Sequence, residues 1–389
     1  MSVRIGYVIF NLGVGKGGHS LSLSELIKAR DSECSYVVNI SNHDCEVLKE
    51  IAGVNYFNVK PSIFIFPTII RLRNIFSSNR LDLIHAFDEF SYALSILSSS
   101  VFLNIPLLMT KCGGPNPTSA FSFPKPKNLI LYSKENLEWF NLNNTEVNCY
   151  LIPNRIGVLN TTISKEIEEI VVDYSFNIVC ISRITTFYEK KLKGAVLLLN
   201  RLRSFGVEAS LTFIGNVESR SLLERLSDDS GHIKFLCDDF HTIKSSQFIH
   251  YFDATISTGR GAMESILSKK HTFVPTVNDS LPVLVNIENV NNFSSSNFSE
   301  RSVVPEPLGN GDFQPYIFCR TSFDEKLLAY ANKNFSVYES LGIYEEIYEE
   351  VMSSNRKTNI YFSDVLCVFK FGYRILSQKL GFGIRGRFR

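Results

Sequence analysis

No stretch of this 389-residue chain strings together the about 18 apolar residues that a membrane span requires. The nearest candidate, "PSIFIFPTII", is short and runs into Arg71 and Arg73. The opening "MSVRIGYVIFNLG" has no basic start followed by a small-residue cleavage site, so it reads as a strand and not as a secretory leader. None of the eight cysteines stands in a CxxC pair or at zinc-finger spacing, which suits reduced, buried thiols. The formal net charge is only +1, so no global field points to nucleic acid. These absences suit a cytoplasmic chain. Acid is also missing from the C-terminal end: after Asp364 come Lys370, Arg374, Lys379, Arg385, Arg387 and Arg389 and no carboxylate.

What is present describes a globular protein. Hydrophobic residues make up 44%, and the length suits two domains of ordinary size. Strand-like and helix-like segments alternate twice. In the first half, "RIGYVIF", "SYVVNI", "LDLIHAF", "IPLLMT" and "NLILYS" read as strands, with helical spacing in "LSLSELIKAR" and "SYALSILSSS". In the second half, "FNIVCIS", "EASLTFIG", "HIKFLC" and "FDATIST" are strands, and "GAVLLLNRLRSFG" is a helix. Such alternation predicts α/β architecture: two Rossmann-like domains, each a parallel sheet flanked by helices. The expected boundaries are an N-terminal domain over 1–158 and a polar linker over 159–176. A C-terminal domain then covers 177–350, and a helix with a basic tail covers 351–389. Ligands are expected at the carboxyl ends of the strands and between the halves.

In the N-terminal half, Gly13, Gly15 and Gly18 match GxGxxG, but the acid that would hold a dinucleotide ribose is missing. Asn39 ends the second strand, and Asp44 comes only later. Gly18 is followed by His19, so the Walker A pattern fails as well. Two readings of this loop stand: a backbone cradle for a phosphate or sugar, and a plain strand-to-helix turn. His19 beside the loop and His85 at a strand end are acceptor-side candidates, although a lone strand-end histidine is more often structural.

In the C-terminal half, Arg183 follows a strand, and Lys190, Lys191 and Lys193 precede or open a helix. Cations at a strand-to-helix loop suit a diphosphate. A solvated basic loop accounts for Lys190 and Lys191. In "STGRGAMESILSKK", Gly259, Arg260 and Gly261 precede a helix whose free amides can face a ligand. Glu264 is expected in that helix's first turn, where it either accepts hydrogen bonds from ribose hydroxyls or complements the helix dipole. Asp228-Asp229 and Asp238-Asp239 read as solvated turns and not as a metal site.

Over about residues 1–290 the chain resembles the GT-B glycosyltransferases, in particular the large retaining family, GT4, that builds bacterial polysaccharides and glycolipids. "GKGGHSLSLSEL" is similar to the family's N-terminal glycine loop, which brings Gly17 and Gly18 to the donor. "LDLIHAFDEFSYALSI", "NLILYSKENLEWF" and "YLIPNRIGV" resemble its later segments in order. "SRI…KG" is similar to its phosphate-binding pair, which implies that role for Arg183 and Lys193. "STGRGAMESILSKKHTFVP" resembles its glycine-and-glutamate block, which implies a ribose contact for Glu264. Two positions depart from the pattern. Ile256 stands where the family often has a first glutamate, and Cys112 stands where it often has a histidine. The resemblance implies sugar transfer from a nucleoside diphosphate, with no cofactor and no metal, to a saccharide or lipid-linked acceptor, and a C-terminal helix within 351–389 that packs back on the N-terminal domain. The alternative is a degenerate relative that binds a nucleotide sugar or partner without turnover. The acid-free tail adds an expected contact with the inner, anionic face of a membrane.

Overall fold

The computed structural model describes residues 3–11, 17–30, 33–99, 103–119, 121, 123–143, 146–228, 231–305, 323–354 and 359–379. The chain forms two compact units, one made of Met1–Arg155 with Val337–Arg389, the other of Ile156–Ser336.

The first unit contains strands β1 (Ile5–Phe10), β2 (Ser35–Ile40), β3 (Tyr56–Val59), β4 (Leu83–Ala86), β5 (Leu107–Lys111), β6 (Asn128–Leu131) and β7 (Asn148–Leu151). They form one parallel sheet in the order β3-β2-β1-β4-β5-β6-β7. Helices α1 (Gly18–Arg30), α2 (Glu46–Ala52), α3 (Ile65–Ser78), α4 (Glu89–Ser99) and α5 (Lys134–Asn143) connect them. The second unit opens with α6 (Lys165–Val171) and continues β8 (Phe176–Ile181), α7 (Glu189–Ser204), β9 (Ala209–Ile214), α8 (Arg220–Leu226), β10 (Ile233–Leu236) and α9 (Asp239–Ile243). It then runs β11 (Ala254–Ile256), α10 (Arg260–Leu267), β12 (His271–Val274), β13 (Val283–Leu284), α11 (Val290–Ser295) and α12 (Glu325–Phe335). Its sheet order is β10-β9-β8-β11-β12-β13, parallel except for β13. The chain then returns to the first unit with α13 (Leu341–Ser353) and α14 (Phe362–Lys379).

The central strands are apolar because both faces of a parallel sheet are covered. Alternate residues of β1 part to opposite sides. Ile5, Tyr7 and Ile9 join α1, α2 and α13 in one core, while Val8 and Phe10 join α3, α4 and α14 in the other. Both sheets reverse strand order beside their first strand, between β1 and β4 and between β8 and β11. Ligands of such sheets sit at those reversal points, beyond the carboxyl ends of the strands.

Two organisational expectations need correction. The stretch 159–176 is not only a linker: Ser164 caps α6, and Ile167 is buried against Val179 and Phe252. The second unit ends at Ser336 and not at 350, because Tyr344, Ile347, Tyr348 and Val351 of α13 pack with Tyr7, Leu83 and Phe87 of the first unit. In α14 the apolar residues form two stripes. Val368 is in the core with Cys367, Phe371 and Ile375, whereas Phe369, Tyr373 and Leu376 face out. Among the described residues no helix is long and apolar enough to cross a membrane. Gly13, Gly15 and the tail 381–389 lie outside the described residues.

Candidate functional site

In the second unit the reversal point is built by the segments that follow β8 and β11. The β8 ladder extends past its end, with Ile184 bridging to Val217. This is possible because Gly215 has no side chain: a Cβ there would lie 1.9 Å from the carbonyl oxygen of Ser182. Arg183, just beyond β8, is half-exposed. Its guanidinium pairs with Glu218 at 3.0 Å and lies 5.5 Å over the Tyr188 ring.

The lysines of α7 do not lie as the sequence pattern suggested. Lys193 is exposed and pairs with Glu189 one turn away, at 2.9 Å. Lys190 is exposed, as a solvated loop residue would be, but it is not idle. It donates to the backbone carbonyls of Thr276 and Val277, at 2.6 and 3.0 Å, and so anchors the segment after β12. Lys191, also assigned to a solvated loop, is 3% exposed. Its Nζ lies 3.5 Å from Oγ1 of Thr258 and 4.7 Å over the Tyr188 ring. A visible signal was missed here: Lys191 falls on the buried stripe of α7 with Ala195, Leu198 and Leu202, and Lys193 falls off it.

After β11 the chain turns through Ser257 and Thr258 into α10. Gly259 has φ +57, a left-handed conformation that favours glycine, and its N–H donates to the carbonyl of Phe298 at 2.9 Å. Gly261 packs on the strand end, where a Cβ would come within 3.3 Å of Cβ of Ser257. Helix α10 begins at Arg260, so Glu264 is its fifth residue and not in its first turn. The helix-dipole reading therefore fails on position. Glu264 is buried, and Oε1 accepts from Nε of Arg260 at 2.7 Å.

Three buried polar atoms around this turn have no hydrogen-bond partner: Oγ of Ser257, Oδ1 of Asn297 and Oε1 of Glu300. Burial raises the Glu300 carboxyl above its ordinary value, and the charges of Lys191 and Lys190 oppose that shift. Orphaned buried polar atoms are uncommon in folded proteins and mark places where a ligand or water belongs. None of Thr258, Asn297 and Glu300 was legible as a site residue, because what unites them is the fold and not a spacing. Ile256 is wholly buried in the sheet.

In the first unit the reversal point joins His19 to a residue that the sequence did not single out. Asp88 caps α4: its carboxylate accepts from the N–H groups of Phe90 and Ser91 at 2.9 and 2.8 Å, and from the Ser91 hydroxyl at 2.5 Å. It also accepts from the N–H of Phe10, at the end of β1, at 2.8 Å. Burial lowers the pKa of His19, while the Asp88 charge and a hydrogen bond to the Phe10 backbone pull it back up. Burial raises the Asp88 carboxyl, against its hydrogen bonds and the His19 charge. Gly18 opens α1 in open space, and Gly17 lies against the His19 ring, where a Cβ would meet it at 2.9 Å.

His85 leaves the list of acceptor-side candidates. It is fully buried, with Nδ1 at 3.1 Å from the Tyr348 hydroxyl and Nε2 at 2.7 Å from that of Thr110. Burial lowers its pKa to about 3. Cys112 directs its thiol to the Phe87 carbonyl at 3.4 Å, and burial pushes its pKa up to about 12, so it is not a thiolate near neutral pH.

Among the described residues, Glu166, Asp238 and His241 form a group with ligand spacing for a metal, their ligand atoms lying within 4.8 Å of one another. Both His241 nitrogens are already engaged, Nδ1 with Asp238 at 2.6 Å and Nε2 with the Ser164 hydroxyl at 3.0 Å. Asp238 and Ser164 cap α9 and α6, so the cluster ties two helix starts together. Asp238 thus has a structural partner and is not simply a solvated turn.

The fold defines a class: two Rossmann-like α/β units of the GT-B kind. No protein-family model matches the sequence, and no curated protein does. Solved structures do. A glycosyltransferase from Rickettsia africae is similar over 90% of this chain and 98% of its own, with TM-score 0.61 and 16% identity. Anabaena HepE, solved in complex with UDP, is similar over 90% of this chain and all of its own, with TM-score 0.58 and 15% identity. The pneumococcal O-GlcNAc transferase GtfA, solved with UDP and GlcNAc, covers 90% of this chain and 99% of its own, with TM-score 0.57 and 9% identity. At such identities the likeness establishes the fold.

Proposed function

We propose that this chain is a glycosyltransferase that takes its donor as a nucleoside diphosphate sugar, bound at the reversal point of the second unit. The observation that carries this reading is the buried cation of Lys191, set beside Thr258 and next to unpartnered polar atoms at the carboxyl end of a parallel sheet. A buried lysine is costly unless an anion meets it, and burial raises the pKa of Glu300, the carboxyl that its charge reaches. The similar proteins solved with UDP support a diphosphate as that anion.

In this reading Lys191 and Arg183 stabilise the charge that grows on the departing diphosphate. Glu264, held in place by Arg260, accepts from the ribose hydroxyls. His19, adjusted by Asp88, serves the acceptor side. The charge stabilisation is assigned to side chains and needs no metal in this scheme. Retention of configuration, a hexosyl donor, and a saccharide or lipid-linked acceptor in bacterial surface polysaccharide or glycoconjugate synthesis follow the sequence resemblance to GT4.

A second reading is a relative that binds the nucleotide sugar without turnover. Ile256 in the sheet and the protonated Cys112 thiol favour it, since neither can do the chemistry of the residue expected there. A thermal-shift screen of nucleotide sugars tests binding, because a ligand of the folded state raises its melting temperature. Mass spectrometry of the same mixtures, with candidate acceptors or water, tests turnover. A melting temperature that no nucleotide sugar moves sinks both readings. Binding without transfer or donor hydrolysis leaves the second.

A further inference from the structure

Helices α3 and α14 of the first unit carry large apolar side chains that their core does not use. One side of α14 buries Cys367, Val368, Phe371 and Ile375. The other sets out Phe362, Phe369, Tyr373 and Leu376, exposed by 72, 67, 59 and 38%. Their spacing is helical, so this is a second apolar stripe on a helix already anchored by its first. At the start of α3, Phe64, Phe66 and Ile70 are exposed by 79, 77 and 56%. The two stretches touch: a Cβ on Gly372 would lie 3.4 Å from Cδ1 of Ile65. Ile65 stands between Phe64 and Phe66, and Gly372 stands next to Tyr373. The apolar surface is therefore continuous across the two helices, and such a patch marks an interaction site.

Its charge is of one sign. Helix α3 has no acid and carries exposed Arg71 and Arg73. Helix α14 carries Lys370, Arg374 and Lys379 and a single acid. That acid, Asp364, is fully buried and accepts from the backbone N–H of Lys125 and of Tyr361 at 3.0 and 2.8 Å. Arg374 turns over the Phe90 ring toward half-buried Glu89 of α4, while Lys370 remains exposed. Aromatic and aliphatic side chains rimmed by cations, with no exposed acid on either helix, match the interface of an anionic bilayer. A second copy of this chain fits poorly, since a two-fold contact would set Arg71, Arg73 and Lys370 against their own images.

We infer that the paired α3 and α14 face docks on an anionic lipid surface. Phe64, Phe66, Phe369 and Tyr373 enter the headgroup region, while Arg71, Arg73 and Lys370 meet lipid phosphates. This does not rest on the catalytic reading, because docking requires neither donor nor acceptor. The test is co-sedimentation of the full chain with phosphatidylcholine vesicles, with and without phosphatidylglycerol. The substituted positions are exposed, and melting curves check that the variants fold. Expected is binding to the anionic vesicles, weakened roughly tenfold or more in Phe66→Ser/Phe369→Ser and in Arg71→Glu/Arg73→Glu, with the tail 381–389 intact. Absence of binding by the unaltered chain overturns the inference. So does equal binding by all three proteins, or light scattering that shows a dimer dissolved by Phe66→Ser/Phe369→Ser.

Discussion

Nε of Arg260 donates to Oε1 of Glu264 across 2.7 Å, one helical turn apart, with both side chains about nine-tenths buried. This pair stands at the end of β11, where the proposed donor site lies, and it couples a stability argument to a binding argument. Breaking a buried ion pair by removing one of its charges costs about 3–5 kcal/mol. Glu264→Gln should therefore lower the melting temperature and also weaken nucleoside-diphosphate binding about tenfold, through a lost charged hydrogen bond. Calorimetry with the best nucleotide, beside a melting curve, reads both quantities. A lower melting temperature with unaltered affinity would assign the pair to structure alone.

Lys191 and Lys193 should differ in a way that the sequence pattern alone would reverse. Lys191→Ala removes a buried cation beside Thr258 and should weaken diphosphate binding at least about tenfold. Lys193→Ala removes only an exposed pair with Glu189 and should leave affinity near that of the unaltered chain. Arg183→Ala is expected to resemble Lys191→Ala, with a smaller effect, because Arg183 is half-exposed and already paired with Glu218. Titration of the three variants with one nucleoside diphosphate decides. If Lys193→Ala alone loses affinity, the donor phosphates meet the other side of α7.

Much of the architecture was legible because period and burial agree. The β1 run "IGYVIF" is buried throughout, and the doubled alternation of strands and helices is the observed pair of parallel sheets. The site was less legible because sequence spacing does not report which side of a helix faces inward. "EKKLKG" offers three lysines, and only the apolar stripe running on to Leu202 selects Lys191. Glu300 and Asn297 join the site through a loop far along the chain, and no local pattern announces that. Asp88 was readable as a helix cap in "AFDEFS", but its link to Phe10 and its influence on His19 depend on the β1–β4 register. The return of α13 to the first unit was hidden for a similar reason: its apolar face carries no mark of which sheet it covers.

The tail gives a prediction that can be separated from the α3 and α14 face. Residues 381–389 include Arg385, Arg387 and Arg389 and no acid. Each basic residue near an anionic surface adds about 1 kcal/mol of attraction. Removing 381–389 should leave the melting temperature unchanged and reduce binding to anionic vesicles at low salt. The residual binding should still be sensitive to Phe66→Ser/Phe369→Ser. Sedimentation at low and high salt checks this. Equal binding with and without the tail would remove it from membrane contact.

His85 provides a pH test of the first unit. Its folded pKa is lowered from 6.5 to about 3 by burial, so the native state holds fewer protons here than the unfolded chain between those values. Protonation therefore favours unfolding. The contribution of neutral His85 is fully present above pH 6.5 and is lost as the pH falls toward about 3, at about 1.4 kcal/mol per pH unit. At pH 5 the loss from this one group is about 2 kcal/mol. His85→Gln cannot titrate. It should start less stable at pH 7, by about 1–3 kcal/mol, because the Tyr348 and Thr110 hydroxyls lose a well-fitted partner. Between pH 7 and pH 5 it should then lose about 2 kcal/mol less than the unaltered chain. Urea unfolding of both proteins at the two pH values measures the difference, and other titrating groups cancel in the comparison. Parallel losses in the two proteins would show that His85 takes up a proton in the folded state, and its assignment to the closed core would fall.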